Sequence, residues 1–312
     1  MTDLAAGRGA GLSAGRLWAL LGYPGGPPAG AEVETAPPEA LGPHALRRVT
    51  VRMGGAAIPG LYLCPAGPGP HPAVVYCHAH GGRFETGAAE LTGGRPALQG
   101  PYGPALAGLG IASLAIDLAP FGARQGEGPE AALAKACLWE GRPLMGRMLA
   151  ELHGAFGWLA ARPEIDAARI GTLGLSMGGT HAYWLAALEP RVAACAQLCV
   201  LADIAPLIAS GAHDLHGPYM TVPGLLAEGD MGDVAALVAP RPQLVALGGT
   251  DPLTPREARD PALARLRAGY GEGGALEVHV SDETGHVETA ALRAAVLAFL
   301  ARHLVREGER VS

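Results

Sequence analysis

Six short apolar runs recur through the chain after residue 72: AVVYCH from Ala73, IASLAID from Ile111, RIGTLGLS from Arg169, VAACAQLCV from Val192, PQLVALGG from Pro242 and LEVHVSD from Leu276. They do not alternate cleanly between apolar and polar residues. A strand of this kind is covered on both faces, as happens in parallel sheets flanked by helices. Helix-length segments separate most of the runs. The alternation therefore predicts an α/β architecture: a mostly parallel, twisted sheet with helices on both faces. Helical spacing runs from Pro129 to Leu138, Leu144 to Ala161, Gly178 to Leu188, Pro255 to Ala268 with Thr254 as N-cap, and Val287 to Val305. Upstream, HALRRVTVRM and AAIPGLYLCP flank a Gly-Gly turn and predict two antiparallel strands.

The ends and one internal stretch depart from this pattern. Residues 1–45, rich in Gly, Ala and Pro, predict an irregular arm with one short helix from Ser13 to Leu21, capped by Ser13. Residues 46–312 then form the main domain. Residues 202–236 predict an insertion of short helices between two strands. The tryptophans Trp139, Trp158 and Trp184 are expected in the core.

The 312 residues are 49% hydrophobic and 17% charged, a globular composition. The formal net charge is −6 and no basic block occurs, which argues against a nucleic-acid partner. No apolar run reaches membrane-spanning length. The N-terminus lacks a basic start followed by a long apolar stretch, so a cytoplasmic protein is expected. Five cysteines are present, an odd number without zinc-ligand spacing. Cys195 and Cys199 are expected as buried thiols rather than a metal or redox pair.

In open parallel sheets, ligands gather at the carboxyl ends of the strands, and the chemically capable residues fall there. Ser176 sits in Gly174-Leu175-Ser176-Met177-Gly178, between a predicted strand and a predicted helix. A sharp turn at that point strains the serine backbone and leaves no room for side chains two residues either side. The hydroxyl then projects above the sheet as a nucleophile; the competing reading is a helix N-cap. His286, between the last strand and the last helix, is the candidate base, with His279 and His303 as poorer rivals. Asp251 ends the strand PQLVALGG, 35 residues before His286, and is the candidate carboxylate for orienting the ring; Asp282 is the nearer alternative. For the developing oxyanion, the N–H groups of Met177 and His80 are the expected donors, with Ala79 as the alternative to His80. The pair His78 and His80 also admits a metal reading, but no third ligand stands out. Asp117 is expected to order its own loop, and His181 to be a packed core histidine.

The segments HAHGG, GLSMGG, APRPQLVALGGTDPLTP and TGHVET together resemble the α/β-hydrolase superfamily, and within it the dienelactone hydrolase-like and acetyl xylan esterase-like group. The resemblance runs from about residue 46 to the end. Dienelactone hydrolase proper carries a cysteine nucleophile where this chain has Ser176, which favours ordinary carboxylic esters over lactones. The resemblance implies a serine esterase acting on a small-molecule ester through an acyl-enzyme, without metal or organic cofactor. A peptidase or acyltransferase of the same fold, or a non-catalytic binding protein, are the alternatives. His213, His216, Tyr219 and Met220 in the insertion are the candidate substrate contacts. The sequence leaves a homo-oligomer open.

Overall fold

The computed structural model describes residues 11–27 and 30–309. The first ten residues of the expected arm, its residues 28–29 and the last three residues of the main domain lie outside the described residues. Ten strands form one sheet: β1 (Glu32–Thr35), β2 (Glu39–Leu41), β3 (His44–Met53), β4 (Ala56–Cys64), β5 (His71–Cys77), β6 (Ala112–Ile116), β7 (Ile165–Leu175), β8 (Ala194–Leu198), β9 (Gln243–Gly248) and β10 (Leu276–Ser281). Their order is β1-β3-β4-β6-β5-β7-β8-β9-β10, with β2 also paired to β3. From β6 to β10 every neighbouring pair is parallel; β4 meets β6 antiparallel.

Burial explains the apolar runs. Every residue of β5, β6, β8 and β9 is buried. On one face Val75, Leu114, Ile170, Cys195 and Val245 pack under the helices Ala14–Leu20, Leu144–Ala160 and Met177–Leu188. On the other, Val74, Tyr76, Leu173, Ala196 and Leu244 pack against the helices Tyr102–Gly108 and Ala290–Leu304. Each face thus has its own apolar layer, as helices on both sides of a parallel sheet require.

The short N-terminal helix Ala14–Leu20 is capped by Ser13, whose side chain accepts from the Arg16 N–H. The segment 202–236 contains the helices Ile204–Ser210, Leu225–Glu228 and Met231–Ala236.

Several local expectations are corrected. The backbone at 32–35 and 39–41 is strand, not irregular: both pieces pair antiparallel with β3 at the sheet edge, and Glu34 pairs with Arg52 across it. Thr254 does not cap the next helix. Pro255 holds the extended capping position before Arg256–Tyr270, and the Thr254 hydroxyl has no partner among the described residues. The final helix begins at Ala290 rather than Val287, capped by Thr289, because residues 287–289 are used to anchor the preceding loop. Trp139 is 91% exposed at the end of the helix Glu130–Trp139, whereas Trp184 is buried and Trp158 packs edge-on against Tyr62.

Candidate active site

The turn after β7 is built by glycine. A Cβ on Gly178 would lie 1.9 Å from the Cys77 carbonyl oxygen, and one on Gly174 would lie 2.3 Å from Gly178. Only bare backbone lets the helix Met177–Leu188 start this close to β5 and β7. Between them Ser176 takes φ 57° and ψ −126°, a left-handed conformation that side-chain-bearing residues seldom adopt. From Ile170 to Leu188 it is the one residue that is not buried. Its backbone is tied at both ends, N–H to the Leu198 carbonyl and C=O to the Thr180 N–H. Its side chain makes no capping hydrogen bond. The N-cap reading of this serine therefore lacks its defining contact.

His286 and Asp251 meet across the ends of β9 and β10. His286 Nδ1 donates to Asp251 Oδ2 at 2.7 Å. The Asp251 carboxylate is fully buried, and its other oxygen accepts the Leu253 N–H. Asp282 does not take this place; its backbone packs against Gly249. The loop carrying the imidazole is pinned just downstream. Glu288, buried, accepts from Tyr102 O–H and Gln99 N–H and pairs with Arg293, and the Cys199 thiol reaches the Val287 carbonyl. Of the rivals, His279 lies beside Glu277 on β10 and His303 packs on Phe299.

The loop after β5 is held from two sides. The Ala79 N–H is committed to the buried carboxylate of Glu90, which also accepts Tyr76 O–H and ion-pairs with Arg95. Arg95 in turn donates to the His80 carbonyl. Ala79 therefore has no N–H to offer a ligand. The N–H groups of His80 and Met177 have no protein acceptor among the described residues. His80 Nε2 donates to Glu130, and Nδ1 accepts the Gly82 N–H. Both ring nitrogens of His78 are also engaged, with the Ala79 carbonyl and the Leu118 N–H. Burial lowers its pKa to about 3. A metal at the His78 and His80 pair would have to break these bonds.

Ser176 and His286 line one cavity, with Met177, Thr180, Tyr183 and Cys199 from the sheet edge and helix. His216, Tyr219 and Met220 of the insertion form its cover. The open space is small, about 20 Å³, little more than the roughly 10–15 Å³ one water needs. His213 is not part of it; it is exposed and lines a separate cleft. Asp117 orders its own loop by accepting the Ala88 and Ala123 N–H groups. His181 is buried, donates to the Met177 carbonyl and lies parallel to Tyr219. The residues sequence reasoning did not single out are Glu90, Glu130 and Glu288. Glu130 and Glu288 reach partners 50 or more positions away in the chain, and Glu90 reaches back 14 positions to Tyr76 on β5, so no local pattern marks them.

Strand order, two-sided helix cover and a strained serine at the central strand-to-helix turn define the α/β-hydrolase class. Known proteins agree. No protein-family model matches the chain. The Bacillus subtilis (strain 168) protein named "Putative hydrolase YtaP" is 38% identical over 239 residues, 76% of this chain and 80% of that protein. Acetyl xylan esterase 1 from Thermoanaerobacterium sp. JW/SL YS485 superposes with a TM-score of 0.68 at 17% identity, over 98% of this chain and 99% of that one. The acetyl xylan esterase from Paenibacillus sp. R4 superposes at 0.64 and 20% identity, over 97% and 100%. The chain therefore belongs to the α/β-hydrolase superfamily and, within it, to the family of YtaP.

Proposed function

We propose that the chain is a serine hydrolase of short-acyl carboxylic esters. The observation that carries the reading is the buried Asp251 carboxylate 2.7 Å from His286 Nδ1, with His286 and Ser176 on the wall of one cavity. The carboxylate fixes the proton on Nδ1 and leaves Nε2 as a base. His286 takes the Ser176 proton as the oxygen attacks the ester carbonyl. The N–H groups of Met177 and His80 receive the oxyanion. His286 then protonates the leaving alcohol, and water repeats the cycle on the acyl-enzyme. His216, Tyr219 and Met220 form the substrate wall, while His213 touches substrate only if the bound molecule extends into the neighbouring cleft. The narrow cavity favours acetyl-sized acyl groups, as does the likeness in fold to acetyl xylan esterases.

Among the described residues, no helix is long and apolar enough to cross a membrane. All five cysteines are free thiols, which supports a reducing, cytoplasmic setting.

The test is hydrolysis of 4-nitrophenyl acetate together with labelling by a fluorophosphonate, the adduct being mapped by peptide mass. Turnover with label on Ser176 is expected. Absence of both turnover and label would leave a non-catalytic binding protein.

A further inference from the structure

We infer that the cleft within the insertion is the alcohol-side subsite, and that the substrate is a small-acyl ester of a bulky, largely apolar alcohol. This rests on the ester-hydrolase reading above and names its substrate class.

The two spaces are unlike in size. The cavity at Ser176 is about 20 Å³, whereas the cleft beside it is about 670 Å³. A site of several hundred cubic ångströms accommodates a whole small organic molecule. The two share His216 and Met220 on their walls. One molecule that fills both must be narrow at the serine and broad beyond it.

Its polarity is read from the lining. Ile204, Ile208, Val222, Leu225 and Leu226 face the cleft, and His213 and Asp214 are its ionisable side chains apart from His216. Ile208 is 50% exposed, on a helix whose neighbour Leu207 is buried, so an apolar ligand here would cover surface that the fold leaves open. A sugar brings several hydroxyls that need partners once desolvated. This aliphatic lining supplies few.

Its orientation follows from the imidazole. The leaving oxygen must receive its proton from His286, so the alcohol lies on the His286 side. His216 is tethered on that side: its Nε2 donates to the Leu253 carbonyl, two residues past Asp251. Burial lowers the His216 pKa, and nearby His286 acts in the same direction. The cleft therefore meets the cavity on the side from which the alcohol departs. The acyl group stays in the narrow part, against Met177, Thr180 and Tyr183.

The experiment compares kcat/KM of the full chain for ethyl acetate, cyclohexyl acetate, methyl cyclohexanecarboxylate and xylose tetraacetate. Cyclohexyl acetate is expected to exceed each of the others at least tenfold. Equal or faster turnover of the sugar acetate overturns the apolar subsite. Equal or faster turnover of methyl cyclohexanecarboxylate overturns its assignment to the alcohol. Failure of all four esters and of 4-nitrophenyl acetate, without fluorophosphonate labelling, overturns the ester-hydrolase reading itself. Leu226→Trp, which narrows the cleft, is expected to lower the cyclohexyl-to-ethyl ratio at least tenfold. Val222→Phe is read in the same way should Leu226→Trp not fold, and an unmoved ratio in a folded variant overturns the subsite.

Discussion

Glu130 accepts a hydrogen bond from His80 Nε2 at 2.7 Å, across 50 positions of chain. The same carboxylate accepts the Tyr219 N–H with its other oxygen. One buried group thus ties the loop after β5, which carries a proposed oxyanion donor, to the insertion that covers the cavity. Both partners are donors, which a carboxylate satisfies at both oxygens and an amide cannot. Glu130→Gln is expected to turn an N–H₂ toward one of them, displace His80 and lower kcat about tenfold. The full loss of an oxyanion donor costs about 10²–10³. Steady-state kinetics with 4-nitrophenyl acetate check it; unchanged kcat in a folded variant would make the pair purely structural.

Asp251 has a sharper prediction. Its replacement by Asn keeps the shape but lets the amide donate to the ring, favouring the wrong tautomer of His286. Turnover is expected to fall about 10⁴-fold. A loss under tenfold would show that Asp251 does not orient the base.

The buried histidines predict how stability depends on pH. Burial lowers His78 to about 3 and His181 to about 4. In the unfolded chain each ring titrates near roughly 6.5. Between those limits the unfolded chain binds protons that the folded one refuses, so stability falls as pH drops below about 6.5. The two rings together contribute a slope approaching 2.7 kcal/mol per pH unit, roughly 1.36 for each proton taken up. Their slope shrinks above pH 7 and is essentially gone by about pH 8. Urea denaturation from pH 8 to pH 5 measures it, and His181→Gln is expected to remove about half of their contribution. Identical slopes in the wild type and that variant would contradict the assignment.

Much of the fold is legible in the residues because both faces of β5 to β9 are covered, which produces unbroken apolar runs. Ser176 is legible for a related reason: two glycines at fixed spacing mark a turn that only bare backbone can make. The edge strand at Glu32–Thr35 is not legible. Three of its four residues are exposed, so it carries no burial pattern and is held by backbone pairing to β3. Trp139 misleads because its composition suggests the core, while its place at the outer end of a helix leaves it in solvent. The carboxylates of Glu90, Glu130 and Glu288 are invisible for a third reason. Their partners come from other elements, and only the folded topology brings them together.

Turnover by Ser176→Ala decides whether Ser176 is the nucleophile. The hydroxyl caps no helix, so its removal should leave the thermal midpoint close to that of the wild type. In serine hydrolases whose triad acts as a unit, loss of the nucleophile costs on the order of 10⁶ in kcat. A fall of that order in 4-nitrophenyl acetate hydrolysis is expected of the folded variant. Retention of a tenth of the wild-type kcat would contradict it.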